Sequence, residues 1–531
     1  MYRTQIEKYK LIANLIFMIG IVQLYLQQGS LALLYIGGAV QVMLLVTQLF
    51  FGNLAESIEY MYLIRQKRGF VRDTQQILSM ATLYVFIASI VGIVLLVLLD
   101  CYLHQGAEYP YASNILLSFI VVIPLVGLLQ LLRGYIQMKY SYLVCGMTYI
   151  IQALVIVLLI RFGMNSTIEY GEKVSALLQN DHLLYLYIGE KIVVYYAAVT
   201  AVLAVVVGVL LLIQPRKKVK LLDYKANDGK ETKWSVFNHL ISLLLPRGIM
   251  TACVHVPFLI VYKLGAEQIS TGNRLIGHFY GFMLPSILVA AFVAKYAYYR
   301  LESKCGRDLR KKEARAKNYS LKLLLVYAVY VGMFVLVVLV PTVTRILSLL
   351  GFTKDIAVSQ FYYACFLFAA LIVPLTCLER VLGIIGRHMS VVVVYVLTTV
   401  VLIIAVFFVD IDTTLNYMHI VGIIGMYFLT VTTLLFVLVL DKYKIAAIAL
   451  LPSFGSTILC AGATIAIISL ITNWIVNTLG GIFVGYVSLL AGGVIYTVLV
   501  LFFYIFTKNQ AKLLPGSKFY VELLELMGHR A

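Results

Sequence analysis

The chain has 531 residues, 62% hydrophobic and 12% charged, with a mean hydropathy of +0.96. A soluble domain of that composition would lack the polar surface to cover itself, so the chain belongs in a bilayer. Its formal charge of +18 would suggest nucleic acid on a soluble protein. Here the basic residues sit between apolar runs, which assigns them to the membrane boundary and not to nucleic acid.

In chain order, Arg3, Lys8 and Lys10 precede the first apolar run, and no small-residue cleavage site follows it. That run therefore reads as a retained helix and not as a removed signal. Fourteen runs have the length that crosses a hydrocarbon core. They cover approximately 11–26, 31–52, 79–100, 113–135, 141–162, 191–214 and 236–262 in the first half. The second half adds 272–297, 321–346, 359–383, 390–409, 418–440, 446–471 and 480–507.

The distribution of cations tests this count. With the N-terminus inside, the outer segments hold only Arg161, Lys173, Lys191, Lys263, Arg274, Arg345 and Lys354 of the 42 Lys and Arg. Arg247, Lys295 and Lys322 lie within spans, and all the others fall inside. A miscounted span would exchange the sides beyond it and destroy this asymmetry, so both termini are expected in the cytoplasm. The longest outer segment, 163–190, reads as a loop too short for a catalytic domain.

A repeat is visible. Pro124-Leu-Val-Gly-Leu-Leu-Gln-Leu-Leu-Arg-Gly-Tyr-Ile is answered by Pro374-Leu-Thr-Cys-Leu-Glu-Arg-Val-Leu-Gly-Ile-Ile, and each leads into a short basic inner loop. Six spans separate the two, so both halves insert with the same orientation, as in alternating-access transporters. The expected architecture is an all-α integral membrane protein of about fourteen spans. An N-lobe covers 1–214, a basic linker 215–235, a C-lobe 236–440, and two further helices with a cytoplasmic tail 441–531.

Charges inside spans are expensive, about 2.5–3.5 kcal/mol at mid-helix, so each asks for a reason. Arg247 lies deep in its span. It either faces a wet cavity and binds an anion or pairs structurally, and His255 is about 80° further around the same helix. Arg274, His278, Gly281 and Pro285 share one helical stripe beside a helix breaker, and Arg274 there is either part of a gated cavity wall or an interfacial anchor. Glu56 and Glu59, one turn apart, could balance a cavity arginine, couple to Na⁺ or H⁺, or simply be solvated. Arg133 and the pair Glu379–Arg380 occupy matching inner ends of the repeat, as gate ion pairs or interface charges. The seven cysteines are scattered with no metal-ligand spacing, and no catalytic motif or cofactor site stands out.

Three segments carry a family resemblance: Leu63-Ile-Arg-Gln-Lys-Arg-Gly-Phe-Val-Arg-Asp, Leu132-Arg-Gly-Tyr-Ile-Gln, and Gly272-Asn-Arg-Leu-Ile through Pro285. They resemble the multidrug/oligosaccharidyl-lipid/polysaccharide (MOP) export superfamily, and its polysaccharide and lipid II flippases most. The resemblance implies two six-helix lobes in a V and a cavity arginine at Arg274. It also implies two added C-terminal helices that form a groove for a lipid tail. The implied cargo is an undecaprenyl-pyrophosphate-linked sugar, which suits guanidinium groups. The implied partners are that substrate, membrane lipids and the polysaccharide synthesis machinery. The chain departs from lipid II flippases in having no arginine between Lys10 and Gln27, which points to a related lipid-linked oligosaccharide. Two rivals remain at this stage. A cation-coupled drug exporter wants deep carboxylates, and a membrane glycosyltransferase wants a large outer domain.

Overall fold

The structure is a computed structural model. It describes residues 3–67, 74–104, 112–139, 142–180, 182–213, 232–266, 277, 279–280, 305, 309, 314–349, 356–408, 417–443, 447–479, 481–503, 505–514 and 516–527. Among the described residues every regular element is helical. In hydrocarbon a helix satisfies its backbone groups within its own segment, which is why apolar runs of this length fold this way.

Among the described residues, ten helices are long and apolar enough to cross a membrane, from Ala32–Ile64 to Leu451–Ile471, and they coincide with ten of the fourteen expected spans. Expected spans 11–26, 359–383 and 480–507 fall on helices Arg3–Phe51, Ile356–Ile384 and Gly481–Phe502. Span 272–297 lies almost wholly outside the described residues. The chain is a multi-pass membrane protein.

The chain divides into two compact units. One comprises 2–281 and 395–416. Its helices are α1 (Arg3–Phe51), α2 (Leu54–Lys67), α3 (Thr74–His104), α4 (Ala112–Ser118), α5 (Val122–Lys139), α6 (Tyr142–Gly163), α7 (Asn165–Leu178), α8 (His182–Ile213) and α9 (Lys233–Ala266). Gly29, at φ 78°, breaks α1 into two segments where sequence placed the end of the first span. The segments of α1 pack on α6 and α9, α5 packs on α2, α3 and α8, and α9 also meets α3.

Small residues set the closest approaches. A Cβ on Gly146 would enter the Tyr9 ring, and one on Gly38 the Tyr262 ring. Gly248 of α9 lies so close to α1 that an added Cβ would collide with the Leu49 carbonyl oxygen. That neighbour is backbone and cannot rotate away. Gly248→Ala is therefore expected to cost about 1–3 kcal/mol through forced helix separation. The measurement is thermal unfolding in detergent; an unchanged midpoint would contradict this contact.

The segment 163–190 is not wholly loop. It contains α7, which ends at Gln179 in the left-handed region (φ 51°) with Asn180 N–H donating to the Ser175 carbonyl. Lys173 donates to Glu169 at 2.9 Å and holds that exposed carboxyl below its usual range.

The second unit comprises 282–394 and 417–531, with Met1. Its helices are α10 (Ala314–Leu349), α11 (Ile356–Ile384), α12 (His388–Phe408, which continues into the other range), α13 (Tyr417–Tyr443), α14 (Leu451–Leu479) and α15 (Gly481–Phe502). Two short helices follow, α16 (Lys508–Ala511) and α17 (Ser517–Leu526). The hub is α10, against which α11, α14 and α15 all pack. Gly332 admits the Ala370 carbonyl, where a Cβ would stand 2.7 Å away.

Packing repeats as the sequence does. The pairs α3–α5 and α5–α8 have counterparts in α10–α11 and α11–α13. Both repeat segments also turn at once into the next helix, α5 into α6 and α11 into α12.

Candidate transport site

Among the described residues, the polar side chains singled out from sequence fall in two places in the first unit and one in the second. The largest gathering is at the end of α5 that carries Arg133. This guanidinium is only 2% exposed. Its Nε donates to Thr148 Oγ1 at 2.9 Å, and Nη2 donates to the Thr148 carbonyl at 3.1 Å and to Gln152 Oε1 at 2.8 Å. It lies over the Tyr149 ring at 3.7 Å, and Lys10 approaches the same ring at 5.6 Å. Among the described residues every group bonded to the guanidinium is uncharged. Gln152 passes the network on by donating to Thr200 Oγ1 at 3.0 Å.

The carboxylates lie beside it on α2. Glu56 takes Lys10 Nζ at 2.6 Å, an ion pair that is mostly buried. Glu59 accepts from Gln137 Nε2 at 2.7 Å and from the Tyr142 hydroxyl. Gln137 is one turn beyond Arg133 on α5, so both residues follow from one helical stripe. Two cations and two carboxylates thus stand among five helices, α1, α2, α5, α6 and α8. Such a network fixes helix register, because removing one member leaves the others buried without partners. Sequence reading found Arg133, Glu56 and Glu59 but missed Lys10, Thr148, Gln152 and Thr200. The signal was present in Thr148 and Gln152, which stand four residues apart in an otherwise apolar span.

The second gathering joins α1 to α9. His255 Nδ1 is 2.9 Å from Gln41 Oε1, so the ring donates to a glutamine that is 1% exposed. Two turns earlier stands Arg247, half-buried at the midpoint of the candidate span Lys233–Leu264. A side chain there is too far from either end to reach water along the helix. Pro246 and Pro257 each remove a backbone donor from α9, and the Thr251 hydroxyl bonds back to the Arg247 carbonyl at 2.9 Å. These features bend a helix and open its backbone near the charge. Cys253 of α9 also hydrogen-bonds Thr399.

In the second unit Glu379 and Arg380 are half-buried on α11. Beside that helix lies a cavity of about 190 Å³, walled by Leu325 and Val329 of α10, Pro374 and Leu378 of α11, Phe436 of α13 and Phe454 of α14. Its lining is almost wholly apolar. Arg274 and His278 lie outside the described residues. Among the described residues no group of three His, Cys, Asp or Glu could hold a metal ion.

No family model matches the chain, and no curated protein matches it in sequence. Solved structures do match. A lipid II flippase, MurJ, in an inward closed conformation aligns with a TM-score of 0.63 at 14% identity, over 94% of this chain and 98% of that one. An inward-facing multidrug resistance MATE transporter of the MOP superfamily aligns at 0.57 and 11% identity, over 82% of this chain and 96% of that one. A eukaryotic MATE transporter aligns at 0.51 and 12% identity, over 98% and 97%. The fold is that of the MOP exporters. α9 carries Arg247 near its midpoint, and α14 and α15 belong to the second unit.

Proposed function

We propose that the chain is a flippase for an undecaprenyl-pyrophosphate-linked oligosaccharide, working by alternating access in the bacterial cytoplasmic membrane with both termini in the cytoplasm. One observation carries the proposal: the charge at mid-span on α9 is a cation, Arg247. A multi-donor planar cation at that depth suits a pyrophosphate, which offers several acceptor oxygens. Arg274 and His278 are the further headgroup contacts proposed from sequence. The apolar cavity between α10, α11, α13 and α14 supports the reading, since a polyprenyl tail needs an apolar seat. Likeness to a lipid II flippase over nearly the whole chain supports it too.

In mechanism, the headgroup enters from the cytoplasm and meets guanidinium groups in place of water. The lobes then rock, and the sugar leaves outside while the tail remains in lipid. Uptake of Na⁺ or H⁺ would supply the driving force, with Glu56, Glu59 and His255 as the coupling or gate candidates beside Arg133, Glu379 and Arg380. No resident cofactor is part of this scheme. The polysaccharide synthesis machinery is the expected source of the cargo.

The test is depletion of the protein in its own cell. Lipid-linked saccharide should accumulate in the cytoplasmic leaflet, and surface glycan should fall. Unchanged export would remove the assignment. Unchanged export together with increased sensitivity to cationic drugs would favour the multidrug antiporter of the same superfamily.

A further inference from the structure

We infer that the chain's C-terminal helix, α17, is a membrane-surface helix whose outer side binds the anionic leaflet at the inner ends of the spans. A free cytoplasmic tail would have no fixed partner, but this one is built into the second unit. Tyr520 of α17 reaches the Tyr330 hydroxyl of α10 at 3.3 Å, and Tyr330 also bonds Thr497 Oγ1 of α15 at 2.9 Å. Around Tyr330 the Tyr496 ring stacks at 5.3 Å and the Phe506 ring meets it edge-on at 5.5 Å. Before it, α16 is closed by a reciprocal cap between Thr507 and Gln510, and Lys508 pairs with Glu525 at 3.3 Å.

The depth of α17 follows from those contacts. Tyr496 is six residues from the end of α15 at Phe502, about 9 Å at 1.5 Å per residue. Tyr330 sits at that level, and the Tyr520 side chain spans most of the remaining distance. The axis of α17 therefore lies near the span ends, where aromatic side chains and lysines gather.

At 100° per residue α17 has three sides. Leu524, Tyr520 and Val521 point one way, and Leu524 is buried. Phe519 and Leu526 point another, exposed at 50% and 86%. Lys518, Glu522 and Glu525 form the third, which is exposed and charged. A helix dissolved in water has no reason to keep a separate apolar side beyond the one it packs with. A helix lying in the bilayer interface needs all three: one for protein, one for acyl chains and one for water. The apolar side continues the lipid-facing residues of α15, since Phe502 and Phe503 at its end are exposed too. Lys512 and Lys518, exposed beside it, match the charge of anionic headgroups.

The test uses the full chain in nanodiscs, with native Trp234 and Trp474 replaced by Phe. Single variants Phe519→Trp, Leu526→Trp and Glu522→Trp report by fluorescence. Brominated phosphatidylglycerol should quench the first two severalfold more than the third, and aqueous iodide should do the reverse. Adding Lys512→Gln and Lys518→Gln should raise iodide access at position 526. Equal iodide quenching at all three positions would overturn the inference, leaving α17 in water. Protection of 519 and 526 from both quenchers would also overturn it, since another copy of the chain would then cover that side. The positions substituted in 512–526 are all exposed, and an unchanged melting midpoint confirms that each variant folds.

Discussion

Arg247→Ala is expected to cut translocation of the lipid-linked saccharide by about a hundredfold. Two charge-assisted bonds to a phosphate are worth about 3 kcal/mol, which is roughly two factors of ten. Arg247→Lys should recover part of the loss, because an ammonium keeps the charge but not the planar fork. The loss should appear mainly in KM at unchanged thermal stability. That combination separates a headgroup contact from a structural ion pair, whose removal would instead lower the melting midpoint. The readout is transport in proteoliposomes at matched protein level. Arg274→Ala belongs in the same experiment and should behave alike.

Arg133→Ala is expected to act the other way, on stability first, by about 2–4 kcal/mol. The loss has two parts: Thr148 and Gln152 keep buried acceptors without a donor, and the space over the Tyr149 ring empties. Arg133→Met with Gln152→Leu should recover much of it, because an apolar pair removes both the charge and the orphaned amide. Denaturation in detergent reads the effect. If Arg133→Ala melts as the parent does but fails to transport, Arg133 is a gate and not a brace.

The spans were legible because the bilayer imposes length and apolarity on each one. Two short helices were not legible. Residues 165–178 carry Gly171 at the centre and polar groups on most sides, so no apolar run announces α7. Residues 517–526 are shorter than a span and mix Lys and Glu with leucines, so α17 read as tail. The site was partly legible. A costly deep charge pointed to Arg247, and charges at the inner ends of spans pointed to Arg133, Glu56 and Glu59. Their partners did not follow, because Lys10 meets Glu56 across 46 residues and Gln41 meets His255 across 214. Such pairings depend on helix register, which a single span's composition does not encode.

Gly29 joins the two segments of α1 at φ 78° and ψ −171°, and an added Cβ there would meet nothing within 4 Å. Space is therefore not what selects glycine at this turn. Its torsions mirror the extended conformation of ordinary residues, so the restriction comes from handedness alone. The break between the two segments of α1 thus depends on the one amino acid without a stereocentre.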